Sequence, residues 1–512
     1  MSDMAPKPKK SKIRKFLCGI LFTFVILITI TVLLTVFENW SGARRWKEVH
    51  EMLVREGVEL DPKKLSPETP APSENFAATP LISALSDFHK DHDANDSITY
   101  ADQDSVDRFR KLRLPEELDH HNILPDYATS GQANLNGVAE QIQKSGFQLS
   151  PDDSTPAQII RSWMTQFETE LAALDEAANR PEAVLDFEIA EDFLGQISMS
   201  VPFTNDFLKH QRFQAIRVCA ALENGDETEA LAALRTMFQI SRTAGSSPIL
   251  INLLVGISCH NTALSVIWQG IKTESWSSES LNEIDHLITG KSENMLSNLE
   301  KAINLEMVMM QIGGSDYLKN EASKNDGFAT GEDVNNLFPG GLLTFRFIPD
   351  GIFDHNKAFG CELMFKHFLK PIRDRNFFSP DQGLEESFEK RSPRNFLASI
   401  TIPAIEGVLM QCFQCGTMTE LARAAIAVEQ TKLQTGKFPG SYPEIAYRFS
   451  SAPPGEIISG LGGGDLHYKQ VGKSYLVYSP GYNQVDDGGT IVLKPNSKNS
   501  DPRKGDWVWK YN

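Results

Sequence analysis

Residues 206–271 read DFLKHQRFQAIRVCAALENGDETEALAALRTMFQISRTAGSSPILINLLVGISCHNTALSVIWQGI, and this stretch sets the fold class. Residues 206–223 carry a helical pattern. Asn224-Gly225-Asp226 breaks it, 227–243 resumes it, and Gly245-Ser246-Ser247-Pro248 breaks it again before a third, mostly apolar helix over 249–271. Downstream, 277–312 predicts two more helices. Upstream, Thr155, Pro156 and Gln158 form the signature of a capped helix start, and that helix is expected to run to about Asn179, ahead of Arg180-Pro181. Residues 81–150 are polar and weakly periodic, which predicts short helices and loops. Residues 313–390, rich in Gly, Asp, Asn and Phe, show no clear period.

From about Asn395 the pattern is helical again, with Met418, Leu421, Ala425 and Val428 on one face. Gly436 stops it, with Pro439 behind. Residues 466–470 and 474–478 flank Val471-Gly472-Lys473 as a hairpin, and 490–493 and 507–511 are further strand candidates. The expected fold is therefore mainly α, an irregular multi-helix body over 81–390 followed by a small α+β domain over 391–512.

The N-terminal end has a different character. Residues 1–15 form a basic tail with six Lys or Arg against Asp3, and 16–37 is a run of 22 residues with no charge. Such a run spans roughly 30 Å of hydrocarbon, and it exceeds the roughly 7–15 apolar residues of a cleaved signal. One transmembrane helix is expected at 16–37. The excess of Lys and Arg before it places the N-terminus in the cytoplasm and the body outside, the periplasmic side of an inner membrane in a bacterial chain. Trp40 and Trp46 suit either the outer headgroup level or packing of a short helix over 40–57. Pro62, Pro67, Pro70, Pro72 and Pro80 then predict a stiff, extended spacer, so 38–80 reads as juxtamembrane helix plus spacer.

Net charge is −17 for the chain, +5 for the first fifteen residues and therefore −22 for the rest. A body that acidic repels nucleic acid. The six cysteines, Cys18, Cys219, Cys259, Cys361, Cys412 and Cys415, form no disulfide framework: one lies in the apolar run and five remain. Cys412-Phe413-Gln414-Cys415 reads as two helix-packing thiols, because one pair cannot complete a four-ligand zinc site. No Gly-x-Ser-x-Gly occurs. Ser387–Lys390 lacks its companion motifs, and Gly460–Gly464 is not set between a strand and a helix.

Two segments resemble known families. Ala220-Ala221-Leu222-Glu223-Asn224-Gly225-Asp226, continuing through Pro248-Ile249-Leu250-Ile251 and Leu254-Val255-Gly256-Ile257, is similar to a group of uncharacterised, single-pass membrane-anchored bacterial proteins with a helical extracytoplasmic body. Asn75-Phe76-Ala77 and Glu306 fit the same group. The resemblance implies a structural Glu306 paired with Arg235 or Arg242; a buried, protonated Glu306 acting as a general acid is the competing reading. The second segment is the tail. Gly436-Lys437-Phe438-Pro439, Tyr475, Tyr478-Ser479, Gly481, Asn483, Gly488-Gly489, Asp506 and Trp509 resemble the globular end of the type II secretion major pseudopilin. That likeness implies a small sheet and a calcium-binding loop. Thr431 stands where the family has an aromatic, the Asp-Pro-Trp-Gly stretch is missing, Lys15 rather than Gly precedes Phe16, and Ile20 replaces the family's Glu. Processing as a pseudopilin is not expected.

Calcium takes six to eight oxygens, and Asn483, Asp486, Asp487 and Asp506 supply the candidate metal ligands, an ordinary acidic turn being the alternative. Residues 91–102 also resemble an EF-hand loop, but Asp96 and Asp102 stand where Gly and Glu belong, which favours a solvated loop. The sequence thus points to a membrane-anchored scaffold that meets envelope or secretion proteins. The alternative is a membrane-anchored periplasmic hydrolase with its site within 81–150 or 313–390.

Overall fold

The structure is a computed structural model that describes residues 10–91, 97–118, 122–127, 130–186, 189, 202–312, 348–374, 384, 392–441, 466–495 and 500–511. Ser387–Lys390, Gly460–Gly464 and most of 313–390 lie outside the described residues, as do His92, His120 and His121. The chain divides into two compact units. The first comprises Met1–Val58, Met310–Leu363 and Glu385–Ile402; the second comprises Glu59–Met309, Met364–Leu384 and Pro403–Asn512.

In the first unit one helix, Lys10–Arg55, carries the uncharged run straight into the juxtamembrane residues. The short separate helix expected from Trp40 does not exist, because nothing over 38–45 interrupts the backbone hydrogen bonds. Phe16–Leu34 is exposed at every position. Its polar groups are satisfied within the helix: Thr23, Thr29 and Thr31 donate to the carbonyls of Gly19, Val25 and Leu27 at 3.0, 2.8 and 2.9 Å. Beyond Phe37 the same helix packs. A Cβ on Gly42 would lie 2.2 Å from the Gly351 carbonyl oxygen, so two backbones touch and no side chain fits between them. Arg394 grips Glu38 through two nitrogens at 2.7 and 2.5 Å, and Asn39 accepts the Gly351 N–H at 2.9 Å. Trp40 is exposed, whereas Trp46 is half-buried and edge-on to His50.

The second unit holds the three helices read first, now Thr204–Glu223, Glu227–Ala244 and Leu250–Lys272. Gly225 takes the left-handed conformation at the first break, and Asp226 caps the next helix by accepting the Glu229 N–H at 3.1 Å. At the second break Gly256 nests against Gly245, where a Cβ would lie 2.9 Å from its Cα. Ser278–Ile288 and Lys291–Ile312 follow as expected. The capping box at Thr155 forms, but a 3-10 turn over Thr165–Phe167 divides the expected helix into Pro156–Met164 and Glu168–Ala177.

The Pro-rich segment departs from the expected extended spacer. Pro62 and Pro80 each start a helical turn, where a missing N–H costs nothing. Asn75, 1% exposed, exchanges hydrogen bonds of 2.8 and 2.9 Å with the Val184 backbone. The segment is therefore fastened to the body of the unit. Strands β1 (Phe88–Asp91) and β2 (Ser97–Tyr100) pair where only loops and helices were expected.

The C-terminal region is small and β-rich. The Phe396–Thr435 helix ends at Gly436, with φ +74°. Strands β3 (His467–Val471) and β4 (Ser474–Ser479) form the expected hairpin around Gly472. Strand β5 (Ile491–Leu493) pairs with β6 (Ser500–Gly505), and β7 (Trp507–Tyr511) pairs with β4. Tyr475 stacks on Tyr511 at 5.1 Å, with Phe438 edge-on to both. Trp268 ties the sheet to the helices by donating to the Lys510 carbonyl at 2.7 Å.

Three helices among the described residues are long and apolar enough to cross a membrane: Lys15–Arg55, Leu250–Lys272 and Phe396–Thr435. The chain is thus membrane-associated by composition. The most apolar stretch of the first is wholly unburied, whereas those of the other two are 67% and 53% buried in protein.

Candidate functional site

The structure places Asn483, Asp486, Asp487 and Asp506 around one turn. Asp506, 2% exposed between β6 and β7, accepts the N–H groups of Asp487, Gly489 and Thr490 at 3.2, 2.6 and 3.3 Å. A buried carboxylate with three amide donors is the internal anchor of the loop. Asp486 accepts the Gly488 N–H at 2.9 Å, which holds its carboxyl below the usual range, and Asn483 donates to Asp487 at 3.4 Å. Asn483, Asp486 and Asp487 are exposed. Among the described residues no group of three or more His, Cys, Asp or Glu side chains is placed to hold a metal ion. Asp102, the last position of the EF-hand-like stretch, serves as a helix cap, accepting the Ser105 N–H at 3.0 Å; residues 92–96 lie outside the described residues.

A cluster that the sequence reading did not single out sits in the helical part of the second unit. Helices Pro156–Met164, Glu168–Ala177, Thr204–Glu223 and Glu227–Ala244 wall a cleft of about 440 Å³ lined by Arg161, Glu168, Asp175, Arg217, Asp226 and Glu229 among others. Arg217, with an 8% exposed side chain, holds Asp175 through two nitrogens at 2.7 and 3.1 Å and Glu229 at 3.3 Å. Arg161 bridges Asp226 at 3.0 Å and Glu229 at 3.5 Å. Four carboxylates face two guanidiniums, so the cleft is acidic, with Asp175, Asp226 and Glu229 committed to arginines and Glu168 outside these pairs. Arg161 lies 65 residues before Asp226 and Arg217 42 residues after Asp175, so no local spacing announces the pairs. The available signal was Arg217 itself, a charge set between Ile216 and Val218 within the apolar run from Ala215 to Leu222.

Behind Arg217 a polar chain enters the core. Arg217 donates to Gln214 at 3.4 Å, and the Gln214 amide lies 3.2 Å from His210 Nε2. His210 Nδ1 lies 3.2 Å from the Leu112 carbonyl, which can only accept, so Nδ1 carries the proton and Nε2 is the acceptor. Burial pushes the His210 pKa down to about 4, with the Leu112 carbonyl opposing the shift. The unfolded imidazole titrates near 6.5. The unfolded state therefore binds more protons between these values, and stability present above pH 6.5 is lost as pH falls toward 4. By pH 5 the loss amounts to about 2 kcal/mol. Buried Glu306 contributes with the opposite sign in the same window, so the expected result is a difference between variants. Urea unfolding at pH 7 and pH 5 should give the parent and His210→Gln pH dependences that differ by about 2 kcal/mol, and the same pH dependence in both would refute the assignment.

Among the described residues Glu306 has no arginine partner. Arg235 pairs with Glu283, and Arg242 pairs with Glu182 at 3.2 Å, so the pairing implied by the resemblance does not form. Burial pushes the Glu306 carboxyl up to about 7. Its linkage runs opposite to that of His210: stability is lost as pH rises through 7. Cys412 and Cys415 are buried free thiols on one helix, as two packing thiols would be.

The fold and these clusters define a mainly helical, membrane-associated protein with a small C-terminal β region. No known family profile, curated protein or solved structure matches the chain.

Proposed function

We propose that this protein is a scaffold anchored by a single span at 16–37, with its N-terminus cytoplasmic and its body on the periplasmic side of a bacterial inner membrane. Its pseudopilin-like tail is the module that meets an envelope or secretion protein. The observation that carries the reading is the wholly unburied, uncharged helical run, which needs an apolar surrounding other than protein. The basic residues before it support the orientation. The spacing of Gly436, Phe438, Pro439, Tyr475, Asn483 and Asp506 supports the tail assignment. In-cell crosslinking of the tagged full chain is expected to capture an envelope or secretion protein in stoichiometric amounts. That capture should be lost when residues 437–512 are deleted. Recovery of the chain alone would end the partner-binding reading.

Calcium in the tail loop belongs to the same proposal, supported by the oxygen chemistry of Asn483, Asp486, Asp487 and Asp506. In detergent, chelation is expected to lower by several degrees the melting transition reported by Trp507 and Trp509. A transition unmoved by chelator would remove calcium from the account.

The rival reading is a periplasmic hydrolase with its site in the body, and the cleft of about 440 Å³ favours it. Against it, Asp175, Asp226 and Glu229 are each engaged by arginine, and Glu168, the fourth carboxyl of the lining, has no second free acid or base beside it among the described residues. General acid–base chemistry needs a carboxyl free to exchange its proton with a substrate.

A further inference from the structure

On another side of the second unit lies a cleft of about 500 Å³. One wall is the Pro-rich segment at Lys64–Glu68, a second is Glu182–Val184 with Arg242 and Ser246, and the third is the Lys291–Ile312 helix. That helix presents Asn294, Ser297, Asn298 and Lys301, whose spacing puts them on one face. The walls are fixed by the fold. Ser246 accepts the Leu185 N–H at 3.0 Å, Ser66 accepts the Ile189 N–H at 3.2 Å, and Thr69 donates to Asp186 at 3.1 Å. Arg242 is held by the Pro181 carbonyl at 2.7 Å and Gln239 at 3.0 Å.

The chemistry of the lining is unlike that of the rest of the body. In a region with a net charge of −22, three cations (Lys64, Arg242, Lys301) face two acids (Glu68, Glu182) here. Glu182 is paired with Arg242 at 3.2 Å and Lys64 with Glu59 at 3.3 Å, so Lys301 is the lining cation left without an acid partner among the described residues. Lys291, one turn before Asn294, is half-buried; burial chiefly, and then the charge of Arg242 against the opposing charge of Glu182, pushes its pKa down to about 8. Among the described residues the side chains of Asn294, Ser297 and Lys301 have no hydrogen bond or ion pair partner. Asn298 spends one N–H on the Gly245 carbonyl at 2.8 Å and keeps its carbonyl oxygen to accept. A row of amide and hydroxyl groups beside a cationic corner matches a molecule with several hydroxyls and one anionic group, and the volume suits a single sugar ring.

We propose that this cleft binds a phosphorylated sugar: the phosphate lies against Lys301, with the Lys64–Glu59 and Arg242–Glu182 pairs at its edge, and the ring hydroxyls lie along Asn294, Ser297 and Asn298. The test is titration calorimetry of the full chain in detergent with glucose 6-phosphate, inorganic phosphate and glucose. Saturable binding of glucose 6-phosphate is expected, at least tenfold tighter than either of the others. Lys301→Ala should weaken it about tenfold and Asn294→Ala about threefold. Both side chains are exposed, so both variants are expected to fold as the parent does. No saturable binding, or the same affinity in both variants, overturns the site. Equal affinity for inorganic phosphate overturns the sugar and leaves only an anion.

Discussion

Substituting Leu27→Lys and Leu33→Lys together is expected to release the protein from the membrane. Both side chains are more than half exposed, and the surrounding stretch of helix buries nothing against protein, so among the described residues no acid lies there to receive the new charges. A lysine at Leu27, in the middle of the span, costs about 2.5–3.5 kcal/mol on the insertion scale, and one at Leu33 costs less because its ammonium can reach toward the interface. Together they cost at least about 3 kcal/mol, which shifts an insertion equilibrium by more than a hundredfold. The measurement is the fraction of tagged chain that stays in membranes after an alkaline carbonate wash. Complete retention of the double variant would place the anchor elsewhere, in Leu250–Lys272 or Phe396–Thr435, and the single-span reading would fall. The Thr residues within the run do not weaken the expectation, since each returns its hydroxyl to a carbonyl four residues back.

What could be read from sequence was whatever a local rule decides. The breaks at Asn224-Gly225-Asp226 and Gly436 were legible because a glycine in the left-handed region and a side-chain cap are short-range devices. The β3–β4 hairpin was legible for the same reason. Strand β6 was not: Asp501, Pro502, Arg503 and Lys504 show no alternation, and pairing with β5 alone makes them a strand. The Pro-rich segment misled because prolines that stiffen an extended chain also open helical turns, and the choice was made by Asn75 bonding to Val184 more than a hundred residues on. The acidic cleft and the Glu182–Arg242 pair share that cause. They join residues from separate helices and loops, and a charge on a helix names its sign but not its partner.

Arg423→Ala is expected to cost about 3–5 kcal/mol of folding stability. Arg423 is 1% exposed and lies on the Phe396–Thr435 helix, where it donates to Glu420 at 3.0 Å and to Asp285 at 2.9 Å. The Glu420 side chain is 0% exposed and that of Asp285 is 13% exposed, so both acids depend on the guanidinium more than on water. Arg217→Ala should cost less, since Asp175 and Glu229 line a cleft open to solvent and keep part of their hydration. Removing Glu420 along with the arginine, as Arg423→Met with Glu420→Met, should restore much of the loss, because apolar replacement of a buried pair is often near neutral whereas a stranded carboxylate is not. Arg423→Lys should fall between, keeping the charge but losing the planar fork that serves two acids at once. Denaturant unfolding of the single and double variants closes a double-mutant cycle. A single variant within about 1 kcal/mol of the parent, or a double variant no better than Arg423→Ala, would mean that water reaches this network and that the helix is held by its apolar face alone.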